Sequence, residues 1–244
     1  MQSEWFEQWF DSPYYHLLYK NRSTEEAIYF VENVVKVLEA VPGDRLLDLA
    51  CGKGRHAIAF SQLGLVVTGA DLSKESIAFA KQFEHEHLHF AVHDMREVLN
   101  AGAFKFVCNL FTSFGYFKNA DDNLMAAQSI YTTLQDGGRF LIDFVNRSHA
   151  IRNIEAHRSE VIEREGVTFK IERSYTDEKF IKGIEIYHSD KMLRFEESVN
   201  SFTQVQMKAL FVSAGFTFVK QFGSYSLEEY DENNSPRMIL LFQK

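Results

Sequence analysis

Apolar positions along the chain alternate between two periods. Ala27, Ile28, Phe30, Val31, Val34, Val35 and Leu38 recur at helical spacing, behind a Ser23/Glu26 pair with the spacing of a capping box. They predict an amphipathic helix over 24–40, stopped by Val41-Pro42-Gly43-Asp44. Residues 45–49 read as a short buried strand, 53–63 as a helix ending at Gly64, and 65–70 as a strand. A helix over 73–84, strands over 88–92 and 104–110, a helix over 120–134 closed by Asp136-Gly137-Gly138, and a strand over 139–145 follow. Strands that alternate with helices in this way form a parallel sheet covered by helices on both faces.

The pattern changes after residue 150. Runs at 158–164, 167–175, 180–188 and 192–200 are β-prone and rich in charge, with turns at Glu165-Gly166, Thr176 to Lys179 and Ser189 to Lys191. They predict an antiparallel meander inserted into the main sheet. A helix over 203–214 ends at Gly215, and strands at 216–222 and 238–242 close the chain. The loop at 228–236 suits a hairpin, so the last pair is antiparallel. The expected architecture is α/β: a seven-stranded, mostly parallel sheet with an antiparallel last strand, helices on both faces, and an inserted antiparallel β meander. Residues 1–150 and 201–244 form the core, and 151–200 the insertion, an acceptor cap or a dimer surface.

Composition narrows the function. The 244 residues are 45% hydrophobic and 25% charged with 3 prolines, which fits one domain with an embellishment. No apolar run approaches the ~20 residues of a membrane helix. The N-terminus starts acidic and aromatic, unlike a signal peptide. Two cysteines, Cys51 and Cys108, make no disulfide framework, so a reducing cytoplasm is the expected home. A net charge of −8 counts against a nucleic-acid partner. Residues 1–22 carry Trp5, Phe6, Trp9, Phe10, Tyr14, Tyr15 and Tyr19, either as a helix docked on the body or as a lid over a ligand.

The chemistry concentrates after the first strand. Gly52-Lys53-Gly54-Arg55-His56-Ala57 fits the dinucleotide pattern G-x-G-x-x-A, where glycines admit a ligand close to the backbone and a helix N-terminus offers free N–H donors. The acids around it choose a different ligand. Asp48, four residues before Gly52, would repel a diphosphate and suits a cationic group. Asp71 ends the second strand, where a carboxylate takes ribose hydroxyls, and Asp94-Met95 ends the third, suited to a purine edge. Three acids at three successive strand ends fit an α-amino group, a ribose and an adenine without phosphates, which is S-adenosylmethionine.

On these residues the chain resembles the class I S-adenosylmethionine-dependent methyltransferases of small-molecule type, with their Rossmann-like sheet. Asp48-Leu49-Ala50-Cys51-Gly52-Lys53-Gly54 resembles the family's first motif, acid-x-Gly-x-Gly-x-Gly, with Ala50 in place of the first glycine. Asp136 to Leu141 resembles the turn and strand after the fourth helix. The resemblance implies a cofactor set of Tyr19, Arg22, Asp48, Ala50, Cys51, Gly52, Gly54, Asp71, Leu72, Asp94, Met95, Asn109 and Phe111, and S-adenosylhomocysteine as product.

Methyl transfer from a sulfonium is an in-line displacement in which the protein mainly aligns the reactants and excludes water. Tyr14, Tyr116 and His149 are the catalytic candidates, with Phe111 and Phe114 as pocket residues. Asn109-Leu110-Phe111-Thr112 lacks the prolines of the Asn-Pro-Pro-aromatic motif of base and protein amine methylases, which favours a small-molecule acceptor. An RNA or protein methyltransferase, a non-catalytic S-adenosylmethionine-binding protein and a dehydrogenase are the other readings. His85, His87 and His89 share one side of an extended segment, but the expected site holds no metal. A homodimer is compatible with the insertion.

Overall fold

A computed structural model describes residues 5–20, 23–189 and 191–244. Helix α3 (Thr24–Leu38) starts where Ser23 Oγ accepts the Glu26 N–H at 3.1 Å and ends at Glu39 in the left-handed conformation. Its Phe30, Val31, Val34 and Leu38 are buried, as the periodicity predicts. Strand β1 (Arg45–Leu49), helix α4 (Arg55–Gln62), β2 (Val66–Asp71), helix α5 (Lys74–Ala80), β3 (Leu88–Val92) and β4 (Phe104–Asn109) follow. Helix α6 (Ala120–Thr133) and β5 (Leu134–Val145) complete the parallel half.

The main sheet has seven strands in the order β10-β11-β5-β4-β1-β2-β3. Here β10 is Thr217–Phe222 and β11 is Arg237–Gln243. Strand β11 runs antiparallel between β5 and β10. The helices α3, α4 and α5 pack one face through Phe30, Leu38, Phe60 and Ile77. Helix α6 and α8 (Gln204–Ser213) pack the other, where Phe211 meets Phe140 at 4.9 Å and Phe242 at 5.1 Å. Helix α8 carries a capping box between Thr203 and Gln206.

The insertion is a separate four-stranded antiparallel sheet, β6 (Ser159–Arg164), β7 (Val167–Tyr175), β8 (Lys179–His188) and β9 (Lys191–Asn200), in sequence order. Before it, residues to which the hydrophobic pattern assigns no element form helix α7 (Arg147–Ala156), whose buried Ala150 and Ile154 pack on Phe180. A two-residue apolar stripe in a polar helix gives too weak a period to be seen. One correction is the turn at Asp136 to Gly138. It lies within β5 as an irregularity, because the β4 pairing shifts register between Leu134 and Arg139.

The N-terminal segment forms two short helices, α1 (Trp5–Phe10) and α2 (Pro13–Leu18). Ser12 caps α2, accepting the Tyr14 N–H at 3.2 Å. Trp9 and Leu18 are buried against Val167, Phe169, Ile171, Ile184 and Ile186 of the inserted sheet. The segment therefore docks on the insertion and, as shown below, also covers a cavity. No helix among the described residues is long and apolar enough to cross a membrane.

Candidate active site

The carboxyl ends of β1 to β4 open into one cavity of about 450 Å³. Open α/β sheets place ligands in this position, where the strand order reverses between β1 and β4. The floor comes from Leu49, Ala50, Cys51 and Gly52 at the end of β1, and from Asp71, Leu72 and Ser73 at the end of β2. His93, Asp94 and Met95 follow β3, and Leu110, Phe111, Ser113, Gly115, Tyr116 and Phe117 follow β4. The roof is the N-terminal segment, which contributes Phe10, Asp11, Tyr15, His16, Tyr19 and Lys20.

Backbone geometry shapes the first loop. Ala50, Gly52 and Gly54 all have positive φ, at 61°, 55° and 84°. A Cβ on Gly52 would enter open space at the cavity wall, so the bare backbone leaves room for a ligand. Gly54 serves packing instead: a Cβ there would lie 2.6 Å from the Phe90 ring, and the residue caps α4 without lining the cavity.

The three acids differ. Asp71 Oδ2 accepts the Gly52 N–H at 2.7 Å and Oδ1 the Ser73 N–H at 2.8 Å, so this carboxylate ties the two loops together. Burial raises its pKa. The Ser73 hydroxyl in turn donates to Asp11 of the roof. Asp94 is held by the backbone N–H and guanidinium of Arg96, which lies over the Phe117 ring. Burial opposes ionisation of Asp94, yet these hydrogen bonds keep its pKa below the usual carboxylate value.

Asp48 departs from the expected role. It is fully buried and does not line the cavity. Its Oδ2 has no hydrogen-bond partner. Burial, with the nearby Asp71 charge, pushes its pKa up to about 7. Asn109 is likewise off the wall. It is fully buried and donates from Nδ2 to the Leu49 carbonyl at 3.0 Å, which joins β4 to β1. Both side chains brace the floor from within.

The catalytic candidates also separate. Tyr116 lines the cavity and donates to the Thr112 carbonyl at 2.9 Å. Tyr14 does not line it; its hydroxyl lies 3.0 Å from His188 Nδ1 on the inserted sheet. His149 sits on α7, away from the wall, because the unpredicted helix carries it there. Burial and the charges of Arg152 and Arg237 lower its pKa. Phe114 is core, fully buried against Phe211 at 5.5 Å. Arg22 lies outside the described residues.

The structure thus brings Tyr19, Ala50, Cys51, Gly52, Asp71, Leu72, Asp94, Met95, Phe111 and Tyr116 to one cavity. It adds Phe10, Asp11, His16 and Ser73, which no motif marks. Among the described residues no cluster of His, Cys, Asp and Glu could hold a metal ion. His85 Nε2 instead lies 3.1 Å from Ser61 Oγ.

The sequence profile described as "Methyltransferase domain" matches residues 46–138, the stretch that builds this floor. The stretch that builds the floor is therefore similar to methyltransferase domains. Among curated proteins it is similar to YqeM of Bacillus subtilis, named as a candidate methyltransferase, at 36% identity over 102 residues. That match covers 41% of each chain. It is 29% identical over 154 residues to a ubiquinone biosynthesis O-methyltransferase of Haemophilus ducreyi, covering 59% of this chain and 61% of the relative. The matches thus span less than two thirds of either relative. The same fold occurs in an S-adenosylmethionine-dependent methyltransferase of Clostridium acetobutylicum, with a TM-score of 0.77 at 18% identity over 94% of this chain and 95% of that one.

The methyltransferase cofactor fits the residues present. Gly52 offers bare backbone at the wall, Asp71 and Asp94 stand at consecutive strand ends, and Met95 supplies an apolar contact beside Asp94.

Proposed function

We propose that this protein transfers a methyl group from S-adenosylmethionine to a small-molecule acceptor, with S-adenosylhomocysteine as the other product. The observation that carries the reading is the roofed cavity at the ends of β1 to β4. Its volume of about 450 Å³ lies in the range of small-ligand sites. The similarity to a ubiquinone biosynthesis O-methyltransferase supports the same class of acceptor.

The residues divide the work. Gly52 gives the methionine part a close approach to the backbone. Asp71 would take the ribose hydroxyls, Asp94 the adenine amino group, and Met95 the purine face. When bound, the cofactor supplies a methyl group already activated for displacement. The chain's own task is then alignment and exclusion of water. Phe10, Tyr15, Tyr19, Phe111 and Tyr116 provide an aromatic wall for that purpose. The N-terminal segment, through Phe10 to Lys20, acts as the lid and the inserted sheet as an acceptor cap. Two free, buried cysteines support a reducing, cytoplasmic setting.

The alternatives lose ground on specific residues. A plugged pocket would favour a non-catalytic binder, but Phe114 packs in the core and Tyr116 forms part of the cavity wall. Thermal unfolding with S-adenosylmethionine, S-adenosylhomocysteine and NAD tests the cofactor. Ligand at about 100 times its Kd adds about 2.7 kcal/mol, a rise of roughly 5 to 10 °C for this size. The two adenosyl compounds should shift Tm and NAD should not. Methyl transfer to a panel of phenols and amines then tests the acceptor, and transfer only to RNA or protein would overturn the reading.

A further inference from the structure

The inserted sheet carries a carboxylate whose partners all bear on the roof. Glu197 on β9 and Lys182 on β8 are cross-strand partners, with Lys182 Nζ 3.7 Å from Glu197 Oε2. Glu197 Oε1 accepts two hydrogen bonds from the N-terminal segment. Trp9 Nε1–H donates to it at 2.7 Å and the Tyr19 hydroxyl at 2.7 Å. Lys182 also donates to the Tyr19 oxygen and lies over the Tyr19 ring, 4.5 Å from its centroid. Both charged side chains are 18% exposed, so the hydrogen bonds form at a partly desolvated site, where they are strong.

This anchor is linked to the cavity by rings in contact. Trp9 meets Tyr15 at 5.6 Å, Tyr15 meets Tyr19 at 4.9 Å and Phe10 at 5.0 Å, and Phe10 meets Tyr116 at 5.4 Å. Edge-to-face and tilted contacts of this kind fix ring orientation. One end of the plate is therefore held by Glu197, and the other touches the loop after β4. Helices of six residues have little stability of their own. Their position is set by what they are tied to.

We propose that Glu197 is a positioning residue for the cavity. It fixes Trp9 and Tyr19 so that the roof presents Phe10, Tyr15 and Tyr19 to the ligand, and the inserted sheet serves as the seat of the roof. The effect on ligand binding rests on the methyltransferase reading; the effect on the roof itself does not.

Three variants of the full chain test this: Glu197→Ala, Glu197→Gln, and Glu160→Ala as a control on the same sheet. The chain's 2 tryptophans, Trp5 and Trp9, both lie in the N-terminal segment, so intrinsic fluorescence reports on it. Glu197→Ala should shift the emission to the red and raise amide exchange in residues 5–20 about tenfold, with β1 and β4 unchanged. Its Kd for S-adenosylhomocysteine should rise about tenfold, and its acceptor KM should rise more than kcat falls. Glu197→Gln, which keeps an acceptor oxygen for both donors, should recover most of each effect. Glu160→Ala should leave all of them unchanged. Wild-type emission and exchange in Glu197→Ala would overturn the proposal. So would exchange raised equally in the main sheet, or a loosened roof with unchanged Kd. If the wild type does not bind S-adenosylhomocysteine, the methyltransferase reading fails, and emission and exchange still decide whether Glu197 holds the roof.

Discussion

Arg237 on β11 donates from Nε to Asp143 Oδ1 on β5 at 2.7 Å, and the pair holds the loop that follows β4. Asp143 Oδ2 accepts the Phe111 N–H at 2.8 Å, and the Thr112 N–H reaches the Asp143 carbonyl at 3.0 Å. Arg237 Nη2 donates to Thr112 Oγ1 at 2.8 Å. Phe111 and Thr112 both sit at positive φ, 64° and 58°, which costs each of them about 1 kcal/mol or more. The pair, with Asp143 fully buried, offsets that strain and aims Phe111 at the cavity.

Asp143→Ala should therefore destabilise the protein by about 3 kcal/mol, since it leaves a largely buried guanidinium without its counter-charge and frees the strained loop. Denaturant unfolding measures this. Replacing both partners with apolar residues, Asp143→Leu with Arg237→Met, should cost less than Asp143→Ala alone. An additive double variant would show that the charges act independently.

The two loop glycines should fail in different ways. Gly54→Ala forces a Cβ to 2.6 Å from Phe90 at φ 84° and should destabilise the fold by more than about 2 kcal/mol. Gly52→Ala meets open space, so its stability cost is the backbone term of about 1 kcal/mol. Its Cβ enters the ligand's room, and cofactor affinity should fall at least about tenfold. Calorimetric titration beside a melting curve separates the two. Ala50→Gly, which relieves a φ of 61°, should leave stability within about 1 kcal/mol and retain binding.

The pattern of elements was legible because helical and strand periods are sharp wherever one face is buried. Asp71 and Asp94 were placed on the cavity because strand ends can be read from the period alone. The orientation of Asp48 was not legible. Strand β1 is buried on both faces from Leu46 to Leu49, so no alternation marks which side its carboxylate points to. Phe10, Asp11 and His16 reach the cavity only because the inserted sheet holds the N-terminal segment there, a contact between residues about 150 positions apart. Tyr14 and Tyr15 look alike in the sequence, yet adjacent helical positions face different ways. Only Tyr15 lines the cavity.

Catalytic variants should follow this sorting. Tyr14→Phe and His149→Gln should keep kcat and KM for the acceptor within about twofold, since neither side chain lines the cavity. Tyr116→Phe removes a hydrogen bond to the Thr112 carbonyl at the wall, worth about 1 kcal/mol, and should lower kcat/KM severalfold. Steady-state kinetics on one acceptor decide it. A large loss in His149→Gln with normal stability would return that imidazole to the reaction.

Asp48 makes the fold and the site depend on pH together. Its pKa stands at about 7 in the folded chain against the ordinary 3.8, so the folded state holds a proton that the unfolded state has lost between those values. The contribution of Asp48 to stability is full below about pH 4 and declines as pH rises through 7, by at most about 4 kcal/mol. Asp48→Asn should accordingly raise Tm at pH 8 relative to wild type and bring no gain at pH 4. A cationic ligand in the cavity above would favour the ionised carboxylate and lower its pKa. Binding of S-adenosylmethionine near pH 7 should then release a fraction of a proton, seen as a binding enthalpy that changes with the ionisation enthalpy of the buffer. Asp48→Asn should abolish that dependence. Proton release that persists in Asp48→Asn would assign it to another group at the cavity, and a buffer-independent enthalpy in the wild type would show that Asp48 does not sense the ligand's charge.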